Sequence, residues 1–270
     1  MWNKLKFSIH WRVRALLERL NILFGHEWVL VYTMGKVGST SLYYSLKKKL
    51  GPKVMFIHRM NVSNIASYNK PFLQNGIKPH GSSLALFAKQ RIIDKGKPVS
   101  IISAVREPIS RNISDFFQDF KVYNHGKDFT EVKIEKAIQN FINNYPHHLP
   151  DNWFKEEFST ILGIDLQDIK FDRAEKYGTV SHGNIKVLFL RTDLNNDAKL
   201  KVLQQFLSRK NIKLRVKNTH SQKAYRDYYA EFLETIELST AFVNRMYSEE
   251  YLQLFYTQEE IKSFRERWLQ

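Results

Sequence analysis

The stretch Val29–Leu50 (VLVYTMGKVGSTSLYYSLKKKL) limits the possible folds more than any other part of the chain. It starts with an apolar, β-branched run and continues through a short turn that contains two glycines. Leucines then recur every four residues until Gly51-Pro52, a pair that ends helices. This order predicts a buried strand, a tight loop and the first helix of an α/β domain.

The turn and the helix start have the composition of an anion site. Serine and threonine hydroxyls can cap a helix, and its first backbone N–H groups attract negative charge. The predicted site for a phosphate or a similar group consists of Gly35, Lys36, Val37, Gly38, Ser39, Thr40 and Ser41, the last three being candidate N-caps. The lysine precedes the hydroxyl residues by three positions or more, whereas a Walker A loop places it directly before them. This order disfavours an ordinary ATPase or kinase.

A second segment, Val99–Phe120 (VSIISAVREPISRNISDFFQDF), repeats the strand-to-helix pattern. Arg106 ends the predicted strand Val99–Val105, at the edge where open α/β sheets bind ligands. Ser114 and Arg111 are three positions apart, which predicts that both lie on the polar side of the helix. An apolar stripe predicts its core-facing side, formed by Ile109, Ile113, Phe116, Phe117 and Phe120.

Together the two segments resemble the nucleotide motifs of sulfotransferases that use PAPS (3′-phosphoadenosine 5′-phosphosulfate). The first is similar to the 5′-phosphosulfate loop, and Arg106 with Ser114 is similar to the 3′-phosphate site. From about Trp28 to Ile261 the chain resembles bacterial capsular polysaccharide synthesis proteins that are similar to glycan sulfotransferases. The resemblance implies a P-loop-like α/β fold, PAPS as sulfuryl donor and a saccharide or polysaccharide as acceptor.

The resemblance also implies roles for single residues. Lys36 would stabilise the leaving phosphate, and His58, at the end of the predicted strand Lys53–His58, would be the base for the acceptor hydroxyl. His80 and Glu107 are the alternative bases. Lys223, in the basic stretch Lys217–Arg226, is similar in position to a late loop that closes over the nucleotide; the alternative is an exposed lysine. In-line sulfuryl transfer needs no metal, and no cluster with metal-ligand spacing is visible.

Two other functions remain open at this stage. A kinase or NTPase with an irregular P-loop would need Mg²⁺ ligands, and no strand ending in Asp stands out. A basic glycan-binding protein without enzymatic activity would explain the charge but not the paired phosphate motifs. No zinc finger, RNP-type motif or clear helix-turn-helix is visible, so no nucleic-acid partner is expected.

Charge and length set wider limits. With 42 Lys and Arg against 27 Asp and Glu, the formal net charge of +15 favours anionic partners. Cysteine is absent, and neither a membrane span nor a signal peptide is recognisable, which is the basis for expecting a cytoplasmic, bacterial enzyme. The basic, amphipathic Met1–Phe24 is expected to pack on the domain as a helix, with peripheral contact to an anionic membrane as the alternative.

These observations predict one sulfotransferase-like domain over residues 1–270, with a three-layer α/β fold. Its central sheet is expected to be mainly parallel, with about 4–5 strands, the last of them Ile185–Leu190. Helices are expected as an insertion at about residues 121–178 and again at the C-terminus.

Overall fold

The computed structural model of the protein describes residues 13, 16–79, 81–214 and 225–269. In these ranges a six-stranded sheet has the order β2-β1-β3-β6-β5-β4. Its strands are β1 Trp28–Tyr32, β2 Val54–Ile57, β3 Val99–Val105, β4 Lys170–Asp172, β5 Tyr177–His182 and β6 Ile185–Arg191. The first four in spatial order are parallel, and β5 and β4 continue the sheet in antiparallel pairing. The predicted three-layer α/β fold with a mainly parallel sheet is confirmed.

Helices connect and surround the strands, beginning with a helical segment over residues 16–24. They are α1 Ser39–Leu50, α2 Val62–Gln74, α3 Ser83–Ala88, α4 Pro108–Gln118, α5 Phe120–Tyr123, α6 Ile134–Asn144, α7 Leu149–Trp153, α8 Thr160–Leu162, α9 Asn196–Phe206, α10 Arg226–Thr235, α11 Thr240–Met246, α12 Glu250–Phe255 and α13 Gln258–Trp268. π-Helical turns extend α3 through Lys89–Ile93 and join α7 to α8 through Phe154–Ser159. Short 3₁₀ turns lie at Gly51–Lys53 and Leu166–Asp168.

The hydrophobic core lies on both faces of the parallel strands. Every residue of β1 is buried, and β3 is buried apart from Ser100, as expected for central strands covered on both faces. The apolar stripe predicted for the helix after β3 is also confirmed, since all five of its side chains are buried. At its centre Phe116 contacts the rings of Phe117, Phe120, Tyr123, Phe141, Tyr145 and Phe232.

Two local predictions need correction. The N-cap of α1 is Gly38 in the left-handed conformation, with φ of 71°, and no side chain caps the helix. A residue with a Cβ is disfavoured at that angle, so glycine and not a hydroxyl residue occupies the cap. The helical region predicted for residues 121–178 ends at Leu162, because β4 and β5 form a hairpin that pairs with the edge of β6. Such pairing satisfies backbone groups that an open sheet edge would leave exposed.

The C-terminal helices are tied to the sheet by a buried cation. Arg191, at the end of β6, is 1% exposed and lies 2.6 Å from carboxylate oxygens of both Asp193 and Glu260. Glu260 in turn forms a capping box with Thr257 at the start of α13. A buried charge needs such partners, so the end of β6 and the start of α13 hold each other in place.

Candidate anion-binding cleft

A cleft of about 1070 Å³ lies at the carboxyl ends of β1, β2 and β3. Because β1 lies between β2 and β3, the chain crosses from one side of β1 to the other at this edge. Open α/β sheets bind their ligands at such a switch point. Residues from three loops and one helix line the cleft. They include Gly35, Lys36, Gly38, Ser39, Thr40 and Ser41 after β1, His58 and Arg59 after β2, Arg106 after β3, and Arg111, Ser114, Asp115 and Gln118 of α4.

The cleft brings together most of the residues predicted from the sequence. Both nucleotide-like motifs and His58 line it. Val37 differs, because the residue is 1% exposed and does not line the cleft. Lys223 and His80 lie outside the described residues.

Lys36 has a backbone conformation that the sequence could not reveal. Its φ is 70°, which is uncommon for a residue with a Cβ and costs roughly 1–2 kcal/mol. A hydrogen bond stabilises this loop conformation, because Arg106 donates to the Lys36 carbonyl at 3.3 Å. The Lys36 ammonium donates to Gln118 on α4 at 2.9 Å. Backbone strain of this kind is concentrated at ligand sites, so it supports the prediction that this loop binds an anion.

Arg106 and Ser114 flank the loop from the β3 side. Burial lowers the pKa of Arg106, but a guanidinium remains charged at neutral pH. Ser114 is 2% exposed and its surface lines the cleft. A permanent cation and a hydroxyl donor therefore share one wall, a combination suited to a phosphate.

Arg111 is buried, although the sequence predicted it on the polar side of α4. It is 1% exposed, lies 3.1 Å from the Asp115 carboxylate, and donates to the Gly35 carbonyl at 3.1 Å and to the Tyr145 hydroxyl at 2.8 Å. Burial acts to raise the pKa of Asp115, but the Arg111 charge outweighs it and the pKa is lowered. Both groups are therefore ionised, and the pair packs against the loop after β1.

Two hydrogen bonds orient His58, one at its ring and one at its main-chain carbonyl. Its Nδ1 lies 2.7 Å from the Thr33 carbonyl. A carbonyl can only accept, so Nδ1 carries the proton and Nε2 keeps its lone pair. Loss of hydration in the cleft wall lowers the pKa of His58 to about 4, so the ring is neutral at pH 7. The His58 carbonyl accepts from the Trp153 indole N–H at 2.7 Å, which fixes the backbone as well.

The loop after His58 is held by a buried carboxylate that sequence reasoning missed. Glu157 is 0% exposed and accepts from the Met60 N–H at 2.7 Å, the Asn64 side chain at 2.6 Å and the Tyr32 hydroxyl. Burial raises the pKa of Glu157. No local sequence signal identifies this residue, because these partners are 93 to 125 positions away along the chain.

Glu107, the alternative base, has a different role. It caps α4 by accepting from the Ile109 and Ser110 N–H groups at 2.8 and 2.9 Å. It also accepts from the Tyr247 hydroxyl and from Arg267. Glu107 does not line the cleft, and its oxygens already serve the helix start and the C-terminal helices.

The helical segment over residues 16–24 is partly docked. Glu18 and Ile22 are buried, and Glu18 pairs with Lys47 of α1 at 2.8 Å. The large apolar side chains left exposed are Leu16, Leu17, Leu20, Leu23 and Phe24. Among the described residues, no helix has both the length and the apolar character needed to cross a bilayer. In the same ranges no group of three His, Asp or Glu residues could hold a metal ion.

Comparison with known proteins gave a match to a family model. A family model described as "Putative capsular polysaccharide synthesis protein" matches residues 131–257. This range is slightly less than half of the chain and starts after β1, β2, β3 and α4. No curated protein and no solved structure matched.

Residues of the matched range contact the groups that form the cleft more than they line the cleft itself. Tyr145 contacts Arg111, Trp153 holds the His58 backbone, and Glu157 holds the loop that follows. Of the residues predicted for donor binding and for the base, only Lys223 falls inside the matched range.

We expect the His58 imidazole to titrate with a midpoint near pH 4, well below that of an ordinary histidine, because its charged form is poorly hydrated in the cleft. Proton and carbon chemical shifts measured by NMR from pH 3.5 to 8 test this, with the signal assigned by its loss in His58→Asn. A His58 midpoint close to 6.5 would contradict the geometry described for its ring.

Proposed function

We propose that this protein is a sulfotransferase that moves the sulfuryl group of PAPS to a hydroxyl of a saccharide acceptor. The observation that carries the proposal is the convergence of three elements on one cleft: the Lys36 loop, the Arg106–Ser114 pair and the neutral His58. The match to a capsular polysaccharide synthesis family supports a role in polysaccharide biosynthesis and a saccharide substrate. The choice of PAPS as donor rests on the cleft residues and on the resemblance of their motifs.

The donor groups of the cleft fit the two anionic ends of PAPS. Lys36 and the hydroxyl-rich start of α1 would hold the phosphosulfate, because the first N–H groups of a helix have no partner within it. Arg106 and Ser114 would hold the 3′-phosphate from the β3 side. A nucleotide with phosphate groups on both the 5′ and the 3′ position would use both sets of donors.

The cleft residues divide the chemistry of the transfer between them. As the acceptor oxygen forms its bond to sulfur, the His58 Nε2 lone pair takes the hydroxyl proton. The bond between sulfur and the bridging oxygen breaks, and the electron pair goes to the 5′-phosphate of PAP (3′-phosphoadenosine 5′-phosphate). Lys36 stabilises the charge that develops on that oxygen. The low pKa of His58 means that the ring is unprotonated throughout the neutral range, and that Nε2 is a weaker base than in an ordinary histidine.

The first prediction concerns nucleotide choice. We expect PAP to raise the melting temperature more than ADP or ATP does, with or without Mg²⁺, because a ligand that binds only the folded state stabilises it. Arg106→Ala should weaken PAP binding by roughly 10- to 100-fold, the loss of a charge-assisted contact, while ADP binding stays unchanged. Arg209→Ala, at an exposed ion pair with Glu27, is the control.

Equal shifts with PAP and ADP would contradict the proposed 3′-phosphate site. A larger shift with ATP and Mg²⁺ would favour a kinase or NTPase. Saccharide binding without any nucleotide effect would favour a non-enzymatic glycan-binding protein.

The second prediction separates binding from chemistry. His58→Ala should lower the turnover number by roughly 10²–10⁴-fold and leave the dissociation constant of PAP nearly unchanged, because the base acts on the acceptor. Lys36→Ala should reduce turnover more than PAP affinity, since its charge matters most at the leaving oxygen. Transfer of ³⁵S from labelled PAPS to a capsular polysaccharide measures turnover, with His125→Ala as the control. A His58 variant as active as the control would exclude His58 as the base.

We also propose that the exposed face of residues 16–24 rests on an anionic membrane surface. Five large apolar side chains are exposed there, and Met1–Phe24 carries Lys4, Lys6, Arg12, Arg14 and Arg19 against the single acid Glu18. An apolar helix face in a basic segment is typical of peripheral membrane contact.

The third prediction follows from this surface. The protein should co-sediment with vesicles that contain phosphatidylglycerol and not with pure phosphatidylcholine vesicles, and salt should weaken the binding. Leu20→Glu with Phe24→Glu should abolish it, whereas Leu73→Glu, at a residue of α2 that is exposed to 66%, should not. Equal binding to both vesicle types, or no effect of the paired substitution, would contradict the proposal.

A further inference from the structure

Arg59 is a cation in the cleft to which the donor-binding scheme gives no role. Its guanidinium carbon lies 3.5 Å from the centre of the Tyr68 ring, so the two planes are stacked. Its Nε is buried and makes no hydrogen bond, and no ion pair to Arg59 occurs within residues 13, 16–79, 81–214 and 225–269. An arginine that lines the cleft without an ion-pair partner in those ranges points to an anionic group that is supplied from outside the chain.

The carboxylates nearest to Arg59 are already engaged. Asp115 is close enough for Arg59 to lower its pKa, but it pairs with Arg111 at 3.1 Å. Asp119 accepts the Tyr68 hydroxyl at 2.7 Å. Tyr68 thus holds the guanidinium plane from below without using its N–H groups. The fork of Arg59 is therefore fixed in orientation and lies in the wall of the cleft.

The order of the strands assigns Arg59 to the acceptor side. It follows His58 at the end of β2, whereas Arg106 follows β3 on the far side of β1. Neighbouring strands are about 4.8 Å apart, so the two arginines leave the sheet about 10 Å from each other. Arg59 stands beside the proposed base and away from the residues assigned to the 3′-phosphate.

We propose that Arg59 binds a carboxylate of the acceptor, so that the enzyme selects an acidic saccharide that contains uronic acid. A planar guanidinium offers its two terminal nitrogens as parallel donors, which match the two oxygens of a carboxylate. Ile65 and Asn69 of α2 line the same wall and offer an apolar surface and an amide to the sugar ring. This inference deepens the proposed function and rests on His58 marking the acceptor side of the cleft.

The test compares two tetrasaccharides that differ only in their carboxylates: cellotetraose and its C6-oxidised uronic acid form. Binding to the full chain is measured by isothermal titration calorimetry, with and without saturating PAP. We expect the wild-type protein to bind the acidic form at least 10-fold more tightly. Arg59→Gln should abolish this preference, leave the neutral tetrasaccharide unaffected and change PAP affinity less than 2-fold. Arg91→Gln is the control, because the Arg91 guanidinium carbon also lies near a ring, 5.7 Å from the centre of Phe87, but Arg91 lies outside the cleft.

Each result decides a separate question. Equal binding of the two tetrasaccharides to the wild-type protein, or a preference that survives in Arg59→Gln, would overturn the inference. A loss of PAP affinity in Arg59→Gln would assign Arg59 to the donor and overturn it as well. Failure of PAP to bind the wild-type protein would overturn the proposed function, while the titrations without nucleotide would still decide the role of Arg59. Should Arg59→Gln not fold, Arg59→Lys keeps the charge without the fork and should retain only part of the preference.

Discussion

The buried pair of Arg111 and Asp115 is the interaction on which the cleft depends. Arg111 joins three parts of the chain: its own helix α4, the Gly35 carbonyl in the loop after β1, and the Tyr145 hydroxyl. Removing one partner of a buried ion pair typically costs about 3–5 kcal/mol, because the other charge is left without compensation. The shape of the loop is therefore coupled to the packing of α4 and of the segment that carries Tyr145.

That coupling gives the family-matched range a physical role. Trp153 and Glu157 bond to main-chain groups next to the cleft, and Tyr145 bonds to the Arg111 and Asp115 side chains in its wall. Side chains that bind or react must be held by a second set of contacts if their geometry is to stay fixed. We infer that residues 131–257 set the positions of the loops after β1 and β2, while those loops carry the chemistry.

The electrostatics of the cleft show where the excess positive charge of the chain has a local use. Lys36, Arg59, Arg106 and Arg111 all line it, and within the described residues the Asp115 charge is taken by Arg111. The remaining cations stand on three different loops, so together they suit a ligand with several separated anionic groups. Lys36 holds its position at the cost of a strained backbone, which a purely structural turn could avoid with glycine.

Much of the fold follows from local sequence patterns. The apolar β-branched runs located β1, β3 and β6, and the stripe on α4 identified the buried aromatic centre, because the period of hydrophobic residues reflects the face that is buried. The carboxyl ends of neighbouring parallel strands share one edge of a sheet. That rule was enough to predict that the Lys36 loop, His58 and Arg106 would meet. The hairpin of β4 and β5 was missed, since its short, half-exposed strands have little periodicity and depend on the edge of β6.

The sequence by itself determined the chemical types available at that edge: a lysine in a glycine-containing turn, an arginine at a strand end and a histidine at another. Only the tertiary structure decided which polar residues are free for a ligand and which are structural. Glu107 was an alternative base and Arg111 was expected on the polar side of α4, but their charges are used by the start of α4 and by Asp115. Arg59 carried no sequence signal beyond its place after β2, yet it lines the cleft and forms no ion pair among the described residues. The reason is that hydrogen bonds and ion pairs are satisfied between distant parts of the chain, and local patterns do not record which partners meet.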